Sequence, residues 1–506
     1  MSNQRDTIIL PTRAGFLSGA PQPLVLTCPL PAADPYRLYR RIARKGEPSF
    51  LLESGAPTTP AARYSFFGSS PSHLLRGKNG TAEVIGSDRR TCAVTTPLAA
   101  LSSLLSQPTL TVPEDLPPFA GGAVGYLGYD LVRQYEPLPD QALNDWNLPD
   151  IQLGLFDLTA AIDHHQQTLH VIFAPSWDRF AGEDRDKLFA EGLDRVEALH
   201  ACLVGPTAKG SQTHPEARIE RLLGPAVPGQ SVDDYVERVE RCQEYIRAGD
   251  IYQANLSHRF HFALGSSTRS PSRHHDVGRA IYERLRVVNP SPFSALLSFG
   301  DLTLVSCSPE RLIQVHGQTV TTRPIAGTRP RSGDPTHDER LRQELLANAK
   351  ERAEHTMLVD LERNDLGRVC RCGSVRVNEF MTVEEYSHVR HLVSNVTGML
   401  RPGIPRLDLI KSVFPGGTIT GVPKIRCMQI IEELEPVRRG PYTGSLGYFS
   451  RTGAIDLNIV IRTMVLTEQS AYLQVGAGIV ADSEPSREYQ ETLDKAQAFF
   501  TALHKV

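Results

Sequence analysis

The fold and chemistry of this chain are organised around one stretch, Glu351-Arg-Ala-Glu354-His-Thr-Met-Leu-Val-Asp-Leu-Glu-Arg-Asn-Asp365. Its two leading acids are three residues apart, and in a helix this spacing places both carboxylates on one face. Glu488 and Glu491, near the end of the sequence, have the same spacing. A single pair of this kind is usually a solvated helix face. Carboxylates from two such faces could together hold Mg2+, which prefers one or two of them with water and substrate oxygens.

The composition excludes several classes of function. The chain has 506 residues, with 54 Lys and Arg, 57 Asp and Glu and a formal net charge of -3. Because there is no extended basic run, neither nucleic acid nor an anionic membrane is expected as the main partner. No apolar run approaches the roughly 20 residues of a membrane-spanning helix, and the first residues do not resemble a signal peptide. We therefore expect a cytoplasmic protein whose cysteines are ordinary thiols.

The patterning predicts two regions joined by a linker. Residues 1–210 read as short strands and helices, with two strands between Ile151 and Ala174. Residues 211–230 have the Gly, Pro, Ser and Thr content of a surface linker. Residues 231–506 begin with a helix and continue with mixed strands and helices, which indicates an α+β fold.

Four local predictions concern the second region. Thr336 and Glu339 have the spacing of a capping box that opens one long helix, and that helix carries both leading acids. Arg462 is predicted to lie on a strand running from 454 to 465, and the glycines of Gly476-Ala-Gly478 are predicted to interrupt the last strand.

The loop Phe414-Pro-Gly-Gly-Thr-Ile-Thr-Gly-Val-Pro-Lys424 has two glycines at phosphate-loop spacing. Its lysine is displaced and no Ser or Thr follows it, which excludes a nucleotide P-loop. Glycines before a helix still expose N–H groups to an anion such as a carboxylate. Arg462, Lys424 and Lys495 could add positive charge if they converge on one site.

Glu310 and two histidines are the remaining candidates for acid–base chemistry. Glu310 is a candidate general acid, and a plain turn carboxylate is the alternative interpretation. His388 and His391 are three residues apart and face opposite sides of a strand, so at most one of them reaches a given site.

Taken together, these segments resemble the chorismate-utilising enzymes over about residues 231–506. The resemblance rests on Thr322-Arg-Pro-Ile-Ala-Gly-Thr328, on the opening stretch through Arg368, on Tyr386-Ser-His-Val-Arg-His391, on the Pro415–Lys424 loop and on Gly476-Ala-Gly478. The first region is similar to the subunits that aminate chorismate, through Leu51-Leu-Glu-Ser54 and Gly121-Gly-Ala-Val-Gly-Tyr126. The implied fold is a large β-sandwich of mostly antiparallel sheets flanked by helices.

The resemblance also implies roles for individual residues. Glu354 and Glu491 would bind Mg2+ directly, with Glu351 and Glu488 beside them. The implied catalytic residues are Glu310, His391 and Thr328. The implied chorismate-binding residues are Gln253, Ala326, Gly327, Thr418, Lys424, Tyr442, Arg462, Gly476 and Lys495.

The implied reaction is the amination of chorismate. Relatives that add water to chorismate have a lysine base where this sequence has Gln253, and a glutamine cannot deprotonate water. Anthranilate synthases add nitrogen at C2 and expel pyruvate, whereas aminodeoxychorismate synthases add it at C4 and keep the enolpyruvyl group. Glu362, Gly417 and Thr420 favour the second type. Ala326 stands where some aminodeoxychorismate synthases have a nucleophilic lysine, so no lysine-bound intermediate forms there.

Two partners follow from the same resemblance. The sequence has no glutaminase nucleophile motif, so ammonia is expected from a separate glutamine amidotransferase subunit. Ser54 together with Pro290, Ser291 and Phe293 resembles the tryptophan feedback site of anthranilate synthases. A regulatory tryptophan, a buried non-regulatory tryptophan and an empty site remain three alternatives.

Overall fold

The computed structural model describes residues 7–55, 63–113, 115–206, 223–264, 273–331, 334–385 and 389–504. Within these ranges the helices, numbered here in chain order, are α1 (Arg13–Ser18), α2 (Pro35–Ile42), α3 (Pro97–Leu105), α4 (Trp177–Gly182), α5 (Arg185–Val204), α6 (Val232–Arg247), α7 (Arg273–Val288), α8 (Pro335–Ala347), α9 (Ala349–Gly367), α10 (Arg406–Val413), α11 (Lys424–Leu434) and α12 (Pro485–His504). Two 3-10 helices span Tyr129–Gln134 and Gly417–Ile419.

The strands of the same ranges are β1 (Ile8–Leu10), β2 (Leu24–Pro29), β3 (Ser49–Glu53), β4 (Tyr64–Ser69), β5 (His73–Lys78), β6 (Thr81–Gly86), β7 (Thr91–Thr95), β8 (Gly122–Leu127), β9 (Ile151–Phe156), β10 (Leu158–Asp163), β11 (Thr168–Phe173), β12 (Val227–Pro228), β13 (Gln253–Ala263), β14 (Phe293–Ser298), β15 (Leu302–Ser308), β16 (Arg311–His316), β17 (Thr319–Arg323), β18 (Ile325–Pro330), β19 (Arg376–Glu385), β20 (Val389–Met399), β21 (Gly421–Val422), β22 (Ser445–Ser450), β23 (Ile455–Ile459), β24 (Thr463–Thr467) and β25 (Ser470–Ile479).

Two large antiparallel sheets form the body of the described chain, which confirms the expected β-sandwich flanked by helices. The first has the order β1-β2-β11-β10-β4-β3-β14-β15-β24-β25-β13-β12, and β21 also pairs with β13. The second has the order β18-β20-β17-β16-β23-β22-β8-β9-β5-β6-β7, and β19 also pairs with β20.

Aromatic side chains fill the space between the sheets. The rings of Phe50 on β3 and Phe156 on β9 are 4.6 Å apart, and those of Phe66 on β4 and Tyr448 on β22 are 5.5 Å apart. Edge-on ring contacts of this kind add to the burial of apolar surface, so they hold the two layers face to face.

Strands from both sides of the predicted linker share both sheets. β3 pairs with β14 in the first sheet, and β8 pairs with β22 in the second. Residues 211–222, more than half of the predicted linker, lie outside the described residues. The described end of that linker already belongs to the fold, because β12 pairs with β13.

Two predictions about element boundaries are wrong. The segment from Ile151 to Ala174 forms three strands, β9, β10 and β11, because Asp157 breaks the alternation after Phe156. The predicted long helix is two helices. Asp334, with Pro335 at the first helical position, caps α8 instead of Thr336. Asn348 then leaves the helical conformation, with ψ at 111°, and caps α9 by accepting a hydrogen bond from the Glu351 N–H.

Two predictions in the last part of the chain are also wrong. Arg462 lies in the gap between β23 and β24 with φ at 47°, in the left-handed region, and not on a strand. β25 continues unbroken through Gly476 and Gly478, which pair with Ser257 and Asn255 on β13. The glycines are needed for close approach, since a Cβ at Gly476 would lie 2.7 Å from Asn255 Oδ1.

No helix in the described part of the chain is both long enough and apolar enough to cross a membrane.

Candidate active site

The two acid pairs predicted from the sequence lie near the end of β25, where Glu354 Oε1 is 3.7 Å from the position of a Cβ on Gly478 and Lys495, the partner of Glu491, bonds to the Gly476 carbonyl. α9 carries Glu351 and Glu354, and α12, which packs on β25, carries Glu488 and Glu491. Burial, followed by the charge of Glu351 and, more weakly, that of Glu491, raises the pKa of Glu354. Burial and the charge of Glu491 raise the pKa of Glu488 in the same way. The carboxylates are therefore close enough to repel one another.

Neighbouring side chains hold these acids in place. Glu354 Oε1 accepts a hydrogen bond of 3.0 Å from the Gln253 amide on β13. Glu351 pairs with Arg329 at 3.2 Å, and Glu491 pairs with Lys495 at 2.7 Å. Gly327, with φ at 64°, makes room for Glu351, because a Cβ there would lie 2.7 Å from Glu351 Oε2.

The residues fit the coordination chemistry of Mg2+ without forming a closed cage. Among the described residues no group of three or more His, Cys, Asp and Glu side chains is placed to hold a metal ion. Mg2+ does not need such a group, since it keeps several waters and takes oxygens from its substrate. A cation between Glu354 and Glu491 would also relieve the repulsion that raises the pKa of Glu354.

Lys495, Gly476 and Tyr442 meet next to the acids. Lys495 Nζ donates a hydrogen bond of 2.9 Å to the Gly476 carbonyl. The Tyr442 hydroxyl lies on the other side of Gly476, 2.8 Å from the position that a Cβ would occupy. These are two hydrogen-bond donors beside a glycine whose missing side chain lets Asn255, Leu256 and Tyr442 approach closely.

Glu310 is a buried acid at the same place. It follows β15, and its backbone carbonyl accepts a hydrogen bond from the Ile459 N–H. Burial raises the pKa of Glu310 to about 7, although Thr418, the Ile325 N–H, Arg462 and Lys495 all act to lower it. Glu310 Oε1 and Thr418 Oγ1 have no hydrogen-bond partner among the described residues. An acid in this setting can carry a proton near neutral pH and give it to a bound substrate.

Arg462 and His391 complete the group. The Arg462 guanidinium makes no hydrogen bond or ion pair with any described residue, and burial lowers its pKa. His391 is buried on β20, and burial together with the Arg462 charge lowers its pKa to about 3. At neutral pH the imidazole is therefore uncharged, and Arg462 is a cation available for an anionic ligand.

Four other residues were predicted to belong to the site. Lys424 Nζ donates to Asp365 at 2.5 Å and to the Val413 carbonyl at 3.2 Å, so it is bound to the C-terminal part of α9. Its contact with substrate stays a prediction. Ala326 lies at a bulge of β18 opposite Leu392. The side chain of Thr328 and all of His388 lie outside the described residues.

One residue of this region was noted in the sequence only as a mark of family resemblance. Glu362 is 3% exposed and points into the interior from α9. Its spacing could have revealed this, because it follows buried His355 and Leu358 by seven and four residues, on the same helical face.

A family model for chorismate binding enzymes matches residues 47–501. The chain belongs to this family.

Relatives of the family with an assigned activity carry two names. Anthranilate synthase component 1 of Thermus thermophilus is 45% identical over 469 residues, which cover 93% of this chain and 95% of the relative. Aminodeoxychorismate synthase component 1 of Bacillus subtilis is 42% identical over 465 residues, which cover 92% and 93%. The crystal structure of anthranilate synthase component I from Streptococcus pneumoniae matches with a TM-score of 0.72 at 34% identity, covering 87% of this chain and 93% of that one. The chain is thus a chorismate-utilising enzyme of the component I type.

A second candidate site of this chorismate binding enzyme is a cavity of about 410 Å3 between the sheets. Ser54 and Phe293, both predicted to contact tryptophan, line it. The Ser54 hydroxyl donates to the Tyr64 carbonyl at 2.9 Å. Pro290 and Ser291 stand behind this wall, where the Ser291 carbonyl accepts a hydrogen bond from the Gly55 N–H. The size is within the usual range for small-molecule sites.

Proposed function

We propose that this chain is component I of an aminodeoxychorismate synthase. It would add ammonia at C4 of chorismate with Mg2+ as cofactor, and the 4-amino-4-deoxychorismate formed would serve 4-aminobenzoate and folate synthesis. The ammonia would come from a separate glutamine amidotransferase subunit. The family supplies chorismate as the substrate, and the reaction at C4 is the finer step that we propose.

The observation that carries amination is the amide of Gln253 beside Glu354. A nucleophilic water in this position would need a base to remove its proton, and an amide has no basic lone pair for that purpose. Ammonia brings its own lone pair and needs no such base. The hydrogen bond from Gln253 to Glu354 also fixes the amide, so it can orient a small nucleophile without reacting.

Charge complementarity supports the binding of chorismate, which is a dicarboxylate. Arg462 is a cation without a described protein partner, and Lys495 and Tyr442 add donors next to Gly476. Carboxylates paired with such donors are held in one orientation. Mg2+ held by Glu354 and Glu491 would supply Lewis-acid polarisation of a substrate oxygen.

Glu310 would drive the departure of the 4-hydroxyl. Its carboxyl is buried and protonated near neutral pH, and it gives its proton to the hydroxyl oxygen, which leaves as water. The C–O bond breaks, a C–N bond forms to ammonia, and the ammonium group so formed gives up one proton to solvent water, which leaves Glu310 as a carboxylate. His391, uncharged beside Arg462, adds no positive charge that would repel an ammonium ion or compete with Arg462 for a carboxylate.

The alternative is anthranilate synthase component I, and a specific observation favours it. The Thermus relative named for that activity is slightly more identical to this chain than the Bacillus relative is. Against it stands Glu362, a buried acid beside Gly417 where the resemblance leads us to expect a small residue in anthranilate synthases.

Product identification tests the proposal directly. The protein is incubated with chorismate, Mg2+ and an ammonium salt, with and without an aminodeoxychorismate lyase, and the products are separated by chromatography. We expect 4-aminobenzoate only when the lyase is added. Anthranilate formed without the lyase would show that nitrogen goes to C2 and would overturn the preferred activity.

A further inference from the structure

Behind the site, on the far side of α9, a second cavity of about 400 Å3 lies between α9, α10 and α11. Asp365 and Lys424 form part of its wall, together with the exposed Arg368. Nothing in the proposed reaction uses this cavity. Through this cavity solvent reaches the last turns of α9. The first turns of the same helix carry the acids predicted to bind the metal.

Glu362 is a buried acid of α9, one turn before Asp365 in the cavity wall. Its Oε2 has no hydrogen-bond partner among the described residues. Its Oε1 is 3.6 Å from the position of a Cβ on Gly417. One turn further along α9, Asp365 accepts from Lys424 at the cavity.

Glu362 and Glu310 are enclosed by the same two backbone segments. In the first, Thr322 lies by Glu362 and the Ile325 N–H lies by Glu310. In the second, Gly417 is next to Glu362 and Thr418 is next to Glu310. The charge of Glu310 adds weakly to the raised pKa of Glu362, which agrees with their shared surroundings at Gly417 and Thr418.

We propose that Glu362 and Asp365 form a relay that returns a proton from the cavity beside Lys424 to Glu310 after each turnover. This inference rests on the proposed function, in which Glu310 gives a proton to the leaving hydroxyl and is left as a buried carboxylate. Bound chorismate, on the side of the site where the metal-binding acids lie, would separate Glu310 from solvent. The relay would give protons a second path to Glu310, from the cavity beside Lys424.

The electrostatics of the relay suit the transfer. Burial, followed by the charge of Asp365, raises the pKa of Glu362 to about 8, while Lys424 and Thr322 act to lower it. Burial raises the pKa of Glu310 as well, so both carboxyls can hold a proton near neutral pH. The charged groups that face Glu362 are Asp365 on its own helix, Lys424 on α11 and Glu310 across the site.

In one transfer, Glu362 gives its proton to the Glu310 carboxylate. Glu362 is then reprotonated through Asp365 from water in the cavity. Only protons move, and no bond between heavy atoms forms or breaks. A purely structural role for Glu362, as a neutral group that bonds to Thr322, is the alternative that the experiment must separate.

The decisive measurement is the time course of chorismate consumption by Glu362→Gln at pH 6.5. At this pH Glu310 begins protonated, so the relay predicts a first turnover at the wild-type rate followed by a steady rate about tenfold slower or more. KM for chorismate should change by less than about twofold. A structural role would slow the first and later turnovers equally, and that result, or an unchanged steady rate, overturns the relay.

Two matched variants complete the test. Glu362→Asp keeps an acid and should recover part of the lost steady rate, whereas equal rates for Glu362→Gln and Glu362→Asp overturn the proposal. If Glu362→Gln fails to fold, Glu362→Asp alone decides: a steady rate below its first-turnover rate supports the relay, and a first turnover slowed as much as the later ones overturns it. Glu339→Gln removes an exposed acid of α8 that does not line the cavity, and it should behave as wild type. If the wild-type protein aminates chorismate at neither carbon, the proposed function fails first, while a C2 product leaves the relay test intact.

Discussion

The candidate active site and the cavity between the sheets are two polar spaces in one protein, and they treat charge in opposite ways. In the active site, like charges lie together and Glu310 Oε1 and Thr418 Oγ1 lack described partners. In the cavity wall the charges are paired, with Arg311 at 3.1 Å from Asp456 and Arg323 at 2.5 Å from Glu384.

This difference distinguishes a site suited to catalysis from a cavity suited only to binding. An unpaired buried polar group costs about 1–3 kcal/mol, and a protein keeps it where a substrate will complete the bonds. Paired charges cost less, so the cavity between the sheets is stable with or without a ligand. Substitutions in the active site should therefore change rate more than stability, whereas those at paired charges should do the reverse.

The largest effect is expected from Glu354→Gln. The change keeps the size of the side chain and removes a carboxylate that the metal needs, so turnover should fall by about 10,000-fold or more, since metal polarisation supplies several kcal/mol. The melting temperature should stay the same or rise slightly, because repulsion with Glu351 and Glu491 is relieved. Steady-state assays at varied Mg2+ check this, with Asp360→Asn as control. Magnesium-dependent activity retained in Glu354→Gln would remove Glu354 from the reaction.

A loss of about 100- to 1,000-fold is expected from Glu310→Gln, within the range usual for a general acid. The wild-type pH profile should report the same group. Since the protonated form is active and its pKa is about 7, kcat/KM should fall as pH rises through about 7. The variant has no such group, so its profile should be flat there. An unchanged profile in the variant would assign the pH dependence to another residue.

The sequence predicted which acids share a helical face better than it predicted where the helices and strands begin and end. The i, i+3 spacing of Glu351 with Glu354 and of Glu488 with Glu491 placed each pair on one helical face, as the structure has them. That rule is local and depends only on helix geometry. The meeting of the two helices came from the family resemblance, because contacts between distant parts of a chain cannot be read from local spacing.

The errors arose where two local signals competed or where tertiary contacts decided. Asp334 and Pro335 together cap α8 better than Thr336 does, and Asn348 ends one helix while it begins the next. Arg462 follows β-branched residues that favour a strand, yet its left-handed backbone is held where the Cys307 N–H donates to its carbonyl. Only the folded sheet could show that bond.

Lys424→Met tests whether Lys424 belongs to the active site or to the paired charges that stabilise the fold. Its partner Asp365 is buried, and removing one member of such a pair should lower the free energy of unfolding by about 3 kcal/mol. KM for chorismate should change by less than about twofold, because the side-chain ammonium group of Lys424 is bound to Asp365 and not to the active site. Denaturant unfolding and steady-state kinetics measure the two effects. A large rise in KM without loss of stability would return Lys424 to the group of substrate-binding residues.

The smallest effect is expected at the cavity between the sheets, where Ser54→Phe fills space and Ser54→Ala removes only the hydroxyl. If L-tryptophan is the ligand, calorimetry should detect binding to the wild-type protein and to Ser54→Ala but not to Ser54→Phe. Without tryptophan, kcat should change by less than about twofold in both variants, since the paired wall charges need no ligand.

The cavity is nevertheless connected to the reaction, because Arg311 in its wall directly follows Glu310. Tryptophan should therefore lower the wild-type kcat/KM by about fivefold, at the weak end of typical coupling between sites. Binding without any change in rate would identify a structural ligand, and no binding heat would leave the cavity as a feature of sheet packing.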